Sequence, residues 1–414
     1  MNANMYTRRR FLALMAGTAV SAAGGLALAA PKVINPCRAA LPPELAASPW
    51  LSQVWDGLDP ELVWDCHVHL AGTGDGGSGI VIGQQLAGLT HPLQYAQRLF
   101  YMNAGCTNSE PGQVDRSYVA RLLNLTAAMP EGCKALLFAF DRYYDEAGRP
   151  DDRYLALHVP NSYACQLATA HPERFAWAAS IHPYRSDALE ALAAALTQGA
   201  VAVKWLPSAM GIDPASPRCL RFYQALAQAN IPLIVHCGQE MAVKGPHTQH
   251  YNNPLRLRPA LDQGVRVVVA HCASMGQDHD LDRGKQGPLA GSFALFTRMM
   301  DEPRSQGLLF GDISAITQRN RSLSVVQTLL SRQDWHPRLL HGSDYPLPGI
   351  LPLITPAVLA RNGFLPPGAV QALQTVREHN PLLFDLALKR MLCWQGARFA
   401  PCVFQTKPFF SQGV

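Results

Sequence analysis

The chain has 414 residues, of which 48% are hydrophobic and 16% are charged, a balance that is ordinary for a globular protein with a sizeable core. The formal net charge is +5, and no basic tract follows the first residues, so the sequence excludes a nucleic-acid partner. The ten cysteines lie scattered, without the paired spacing of a zinc finger. Length allows two or three domains, or one α/β barrel with insertions.

The amino terminus has the pattern of an export signal. The run Thr7-Arg8-Arg9-Arg10-Phe11-Leu12 matches a twin-arginine motif and leads into an apolar stretch rich in Gly and Ala that ends at Ala30. We therefore predict a signal peptide over residues 1–30, recognition by the twin-arginine export machinery and a periplasmic location. The alternative is an uncleaved membrane anchor, but three glycines weaken the hydrophobicity of the stretch, so we expect no permanent membrane span. Removing the signal lowers the net charge to about +2.

The first predicted strand carries two histidines at its end. Residues 31–57 are rich in Pro and Ala and are predicted to be a linker, and Leu62 to Cys66 reads as a buried strand. Side chains two apart on a strand share a face, so His67 and His69 can point to one divalent metal. The glycine-rich residues 71–79 predict a mobile loop above that site, and the region from His91 to Met129 predicts a helical insertion.

From Lys134 onward, strands and helices alternate. The predicted strands after the first are Ala135–Phe140, Phe175–Ile181, Ala200–Val203, Ile231–Val235, Val265–Ala270, Leu308–Phe310 and Arg338–Leu340. The helical patterns between them are Asp152–Ala170, Ser186–Thr197, Pro217–Ala229, Leu289–Met300 and Ser322–Leu330. Eight strands alternating with helices predict a distorted (β/α)8 TIM barrel over residues 58–395, followed by a tail over 396–414.

Polar residues end several of these strands. Lys204 follows predicted strand four, His236 strand five and His271 strand six, and Asp344 comes shortly after strand eight. All strands of such a barrel open on one face, so these side chains converge there with the two histidines of strand one. We predict that His67, His69, His236 and Asp344 bind one divalent ion, with zinc favoured and manganese as the alternative.

This set of residues predicts hydrolytic chemistry. A metal-bound water becomes a nucleophile near neutral pH, and Asp344 can accept its proton and pass it to the leaving group. His271 either binds a second metal, polarises the substrate carbonyl or protonates the product. Lys204 completes the predicted catalytic set. For substrate binding we predict Trp205, His182 and Asp141 because they follow strands; packing at the barrel rim is the alternative for Trp205.

The same segments resemble the amidohydrolase superfamily, specifically its amidohydrolase-2 branch. The resemblance runs from about Val63 to Leu388 and is carried by Asp65-Cys66-His67-Val68-His69, Val203-Lys204-Trp205-Leu206-Pro207, Val235-His236-Cys237-Gly238, Ala270-His271-Cys272, His341-Gly342-Ser343-Asp344-Tyr345-Pro346 and Asn380-Pro381-Leu382-Leu383-Phe384. It implies a distorted barrel with one or two metals, with His271 beside the metal shell. It also implies that a strand-four lysine can be carboxylated to bridge a second metal, although Trp205-Leu206-Pro207 departs from better-known members.

These observations predict a metal-dependent hydrolase acting on a carboxylic ester, lactone or amide bond of a small molecule. The runner-up is a metal-dependent decarboxylase of an aromatic or unsaturated carboxylic acid, and a non-catalytic binding barrel is the third alternative. The sequence leaves open whether the protein forms a homodimer. Pairing of Cys393 with Cys402 also stays open, whereas Cys66, Cys237 and Cys272 are predicted to be packing residues.

Overall fold

A computed structural model describes residues 33–88, 90–243 and 245–411; the predicted export signal lies outside the described residues. Eight parallel strands form one sheet, and we number them in chain order. They are β1 (Trp64–His69), β2 (Lys134–Phe138), β3 (Phe175–Ala179), β4 (Ala202–Trp205), β5 (Leu233–His236), β6 (Val267–Ala270), β7 (Leu309–Asp312) and β8 (Leu339–Leu340). Each pairs with the next along the chain. This order is that of a TIM barrel and confirms the predicted fold.

The barrel closes where the segment after β8 meets β1. The Cys66 backbone N–H donates to the His341 carbonyl at 3.0 Å, and the His69 N–H donates to the Tyr345 carbonyl at 2.9 Å. In return, the Asp344 N–H donates to the His67 carbonyl at 2.9 Å. Strand β8 itself is only two residues long, so closure depends on these bonds.

Helices surround the barrel and alternate with its strands. They are Pro43–Ala46, Pro49–Ser52, Gln84–Ala87, Pro92–Ala104, Val114–Ala127, Asn161–Ala170, Ala188–Thr197, Pro207–Met210, Leu220–Gln228, Arg258–Asp262, Ser292–Asp301, Leu323–Ser331, Pro356–Arg361, Ala369–His379, Pro381–Met391 and Lys407–Phe410. The predicted insertion after β1 is therefore two helices. The helix expected from Asp152 begins only at Asn161, because Pro160 precedes it as the N-cap. In the described part of the chain, we find no helix with the length and apolarity that crossing a membrane would require.

The core divides into two layers. Alternate residues such as Cys66, Phe138 and Ile234 fill the barrel interior, while their neighbours pack outward against the helices. The tail closes the amino-terminal end of the barrel: the Phe410 ring stacks on Trp64 with ring centroids 6.3 Å apart, and Phe409 is also buried. The polar residues that follow the strands lie at the opposite, carboxyl-terminal end of the barrel.

Two segments make specific contacts that their composition does not predict. The Asp115 carboxylate accepts hydrogen bonds from the Thr73 and Gly74 N–H groups and from the Ser78 hydroxyl, so the glycine-rich loop is tied to helix Val114–Ala127. The predicted linker carries a disulfide between Cys37 and Cys106, which joins it to the insertion after β1. Cys393 and Cys402 are both free.

Candidate metal and active site

Two side chains of β1 and one from the segment after β8 meet at the carboxyl end of the barrel. The Nε2 atoms of His67 and His69 are 3.2 Å apart, and Asp344 Oδ1 lies 3.5 Å from the first and 3.2 Å from the second. Around a tetrahedral zinc ion with ligand bonds of about 2.0–2.1 Å, ligand atoms are roughly 3.3–3.4 Å apart. The three donors therefore fit one divalent ion.

An irregularity in β1 aims both histidines inward. Cys66 belongs to the barrel interior, so strict alternation would send His67 outward. The pairing of β1 with β2 shifts register between Asp65 and Val68, and Val68 packs in the outer layer instead. This bulge moves His67 and His69 together onto the inner face.

Asp312 and Ser314, at the end of β7, set the proton positions on the histidines. Asp312 Oδ2 lies 2.9 Å from His67 Nδ1, so Nδ1–H donates and Nε2 keeps its lone pair for a metal. The Ser314 hydroxyl donates to Asp312 Oδ1, and its oxygen can accept from His271 Nδ1 at 2.7 Å. The Nε2 lone pair of His271 is thereby also free. Asp312 follows predicted strand seven and, like Asp141 and His182, was a candidate to face the cavity, but no role at the metal was predicted for it.

His271 and His236 flank the three-residue cluster. His271 Nε2 lies 4.0 Å from Asp344 Oδ2, and the backbone there turns through left-handed conformations at residues 271–273. The His236 ring packs against His271 with centroids 5.2 Å apart. Its buried Nε2 has no hydrogen-bond partner among the described residues, because the Glu240 carboxylate at 3.2 Å lacks hydrogen-bond geometry.

Burial keeps these imidazoles neutral. It lowers the pKa of His67 and His271 well below the usual range and that of His236 to about 3. Nearby cations, Lys204 for His67 and His236, lower these pKa values further. Neutral imidazoles are the form that binds metals, so the electrostatics and the geometry agree.

Lys204 lies inside the barrel beside the cluster. Its Nζ is buried without a hydrogen-bond partner in the described chain and sits 4.9 Å from the centroid of the Phe138 ring. Burial lowers the pKa of its amine, an effect that Asp312 and Asp344 oppose. The Phe138 ring also contacts His67 and His69, so one aromatic ring lies beside three polar groups.

The three residues predicted to bind substrate are used within the protein. Trp205 faces outward, is fully buried against Phe222 and Tyr223, and donates its indole N–H to the Ile181 carbonyl at 2.8 Å. This corrects the expected pocket role: on β4, Lys204 points inward and Trp205 therefore outward.

His182 and Asp141 use their polar atoms for hydrogen bonds within the protein. The Asp141 carboxylate accepts from the His182 N–H and from Arg185, each at 2.9 Å. The His182 ring lies 3.0 Å from the Met210 carbonyl through Nε2 and accepts from the Tyr184 N–H at Nδ1. Both side chains thus stabilise loops, which corrects the prediction that they contact substrate.

Three further residues close to the site were missed, Glu240 and Arg321 in loops and Tyr101 in helix Pro92–Ala104. Glu240 lies beside His236, and Arg321 and Tyr101 both have Asp344 and Glu240 as electrostatic neighbours. None of them ends a strand, so the rule that located the other residues does not detect them. A separate cavity, lined by Val63, Asp65, Cys133 and His341, lies at the amino-terminal end of the barrel, away from this chemistry.

A family model described as amidohydrolase (Amidohydro_2) matches residues 64–350. No curated protein matches the chain significantly. An uncharacterised TIM-barrel protein from Bordetella bronchiseptica is 15% identical, with 78% of this chain and 99% of that chain covered and a TM-score of 0.47. A putative 2-pyrone-4,6-dicarboxylic acid hydrolase from Pseudomonas putida is 15% identical, with 78% and 97% covered and a TM-score of 0.41. A 5-carboxyvanillate decarboxylase from Sphingomonas paucimobilis is 11% identical, with 78% and 96% covered and a TM-score of 0.39.

Proposed function

We propose a hydrolytic function from the premise that this chain belongs to the amidohydrolase family, whose model matches residues 64–350. The protein is a metal-dependent hydrolase that cleaves a carboxylic ester, lactone or amide bond of a small molecule. The observation that carries the proposal is the spacing of His67 Nε2, His69 Nε2 and Asp344 Oδ1, which lie 3.2–3.5 Å apart. Zinc is the favoured ion, and manganese is the alternative.

His67, His69 and Asp344 would hold the ion, and His236 has the unpartnered Nε2 that could join them. When bound, such an ion supplies Lewis-acid chemistry and lowers the pKa of water towards neutrality. Asp344 Oδ2, which points towards His271, is placed to accept a proton from the attacking water and return it to the leaving group. His271 Nε2, with its lone pair free, is placed to take up or orient a proton of the product.

Lys204 supports the same reaction from beneath the cluster. Its amine has a lowered pKa and no hydrogen-bond acceptor within reach in the described chain. As an ammonium ion it would stabilise negative charge that develops on the substrate oxygen. Carboxylation of the amine, which would bridge a second ion, is the less favoured role, because Nζ faces the Phe138 ring.

The isosteric variant D344N tests the proposal on the purified full chain. We expect bound metal to fall at least tenfold and hydrolysis of a panel of aryl esters, lactones and anilides to be lost, because an amide replaces the ligand carboxylate. The control is D334N, which changes an exposed aspartate paired with Arg332. Wild-type turnover by D344N would refute the proposal. Release of carbon dioxide from hydroxybenzoates, without hydrolysis of any panel member, would assign the runner-up decarboxylase instead.

We also propose export by the twin-arginine route to the periplasm. The motif at Arg8, Arg9 and Arg10 supports it, and the Cys37–Cys106 disulfide is of a kind that persists in oxidising compartments. Cell fractionation of the full chain and of an R8K/R9K/R10K variant tests this proposal. Equal amounts of both in the periplasm would contradict it.

A further inference from the structure

Two charged side chains hold the peptide group that comes directly before Asp344. The Ser343 N–H donates to Asp65 Oδ1 at 2.8 Å. The carbonyl of the same peptide, that of Gly342, accepts from Lys389 Nζ at 2.7 Å. Because the N–H and the carbonyl of a peptide bond lie in one rigid plane, the two hydrogen bonds fix the orientation from which the chain continues into Asp344.

The same oxygen of Asp65 also holds β1. Oδ1 accepts the backbone N–H of His67 at 3.1 Å, within the stretch where the register of β1 shifts and His67 turns inward. The two segments pack closely here, since a Cβ atom on Gly342 would lie 2.6 Å from His67 Cβ. One carboxylate oxygen therefore joins the bulge in β1 to the segment after β8, beside a residue of the metal cluster on each side.

Lys389 belongs to a buried ion pair. It lies in helix Pro381–Met391, and its ammonium group also contacts the carboxylate of Asp385, one turn earlier in that helix. Both side chains are fully buried. A buried ion pair typically contributes little net stability, because removing two charges from water costs about as much as their attraction returns. A role in setting the backbone conformation of residues 342–344 accounts for this pair better than a stabilising role.

Asp344 has a backbone conformation that its surroundings must impose. Its φ is +63°, in the left-handed region that few residues other than glycine adopt. Its own N–H donates to the His67 carbonyl at 2.9 Å, and the peptide held by Asp65 and Lys389 supports it from the preceding side. A rotation of that peptide would move Asp344 Oδ1 away from its position 3.2 Å from His69 Nε2.

We propose that Asp65 and Lys389 are positioning residues that together aim the Asp344 carboxylate at the metal, and that Asp65 does the same for His67. The proposal rests on the proposed function, whose metal site it deepens. Both residues act on the backbone of the metal cluster through hydrogen bonds to peptide groups. Loss of a partner that orients a metal ligand typically weakens metal affinity about 10–100-fold, which sets the size of the effect to be measured.

The experiment measures the zinc affinity of the full chain without substrate, by competition with a fluorescent chelator. We expect D65A to bind zinc roughly tenfold more weakly or worse, because the N–H groups of His67 and Ser343 lose their acceptor. D65N should stay within about threefold of the wild type, because its amide oxygen can still accept from both groups. Its NH2 group takes the place of Oδ2, which has no hydrogen-bond partner among the described residues.

The double variant K389M/D385L tests the other end of the peptide. It replaces the buried pair with apolar side chains, so no buried charge is left unpaired, and we expect zinc affinity to fall roughly tenfold. The matched control is D141A, which also removes a carboxylate that accepts backbone N–H groups but lies outside the metal cluster. The visible absorption of the cobalt-loaded protein is a second readout, because it reports ligand geometry and does not follow stability. It should change in D65A and in K389M/D385L, and match the wild type in D65N and D141A.

Wild-type zinc affinity and an unchanged cobalt spectrum in D65A would overturn the proposal, as would a loss in D65N or D141A as large as that in D65A. Wild-type affinity of K389M/D385L would overturn the role of Lys389, and it would overturn the whole proposal if circular dichroism shows that D65A does not fold. No measurement depends on turnover, so the two proposals fail separately. Absence of hydrolysis leaves this one standing, and unchanged zinc binding in D65A leaves the hydrolytic function standing.

Discussion

Replacing Asp312 with Asn tests whether Asp312 sets the tautomer of His67 that can bind a metal. Asp312 is fully buried, and its Oδ1 accepts from the His271 N–H at 2.9 Å, from the Ser314 N–H at 3.0 Å and from the Ser314 hydroxyl. Its Oδ2 accepts from His67 Nδ1 at 2.9 Å. In D312N the amide oxygen must face the three donors, so the NH2 group faces His67. Nδ1 then becomes an acceptor, and the proton moves to the Nε2 that should bind metal.

The expected size of the effect follows from this tautomer change. Loss of a partner that orients a metal-binding histidine typically weakens metal affinity about 10–100-fold, or ~1.4–2.8 kcal/mol. We therefore expect D312N to keep its fold but to bind zinc at least tenfold more weakly, with a parallel fall in hydrolysis. Competition with a fluorescent chelator measures the affinity, and thermal unfolding of the metal-stripped protein measures the fold.

The matched control is D141N. Asp141 is also buried and also accepts from backbone N–H groups, but it lies outside the metal cluster. Its variant should lose stability without a specific loss of metal affinity. If D312N binds zinc as tightly as the wild type, or if D141N weakens zinc binding equally, the reasoning about the His67 tautomer is refuted.

The other two predictions concern stability. Burial lowers the pKa of His182 to about 3, from about 6.5 in the unfolded chain, and so keeps the folded imidazole neutral. The contribution of this neutral ring to the free energy of unfolding is therefore fully present above pH 6.5. It is lost as pH falls towards 3, at ~1.4 kcal/mol per pH unit. The free energy of unfolding of H182N in urea should thus depend less steeply on pH between 4 and 6, and identical slopes would contradict this. The double variant C37S/C106S should lose roughly 2–4 kcal/mol of stability, because the disulfide closes a loop with a sequence separation of 69. C393S/C402S, in which both cysteines are free in the parent, is the control, and an equal loss in both variants would show that the disulfide is not the cause.

The positions that sequence reasoning located share one simple signal. His67, His69, His236, His271 and Asp344 each follow a run of apolar strand residues, and a parallel barrel brings all strand ends to one face. The order of eight strands was predictable for the same reason. Boundaries were less accurate: β1 extends to His69 rather than ending at Cys66, because pairing with β2 continues past the bulge.

Roles that depend on side-chain direction were not predictable in this way. Trp205 and Lys204 are adjacent on one strand and differ only in the layer that each faces. His182 and Asp141 also follow strands, yet their polar atoms are taken up by Met210, Tyr184 and Arg185. A strand end brings a residue to the correct face of the barrel, but neighbouring loops determine which of its atoms stay free.

The sequence alone determined the kind of protein, because periodic apolar segments dictate the barrel and the polar residues that end them dictate a metal-binding chemistry. Only the tertiary structure decided how those residues act. The bulge in β1 turns His67 inward, and Asp312 sets the position of its proton. These features arise from contacts between segments far apart in the chain, which local sequence patterns do not encode.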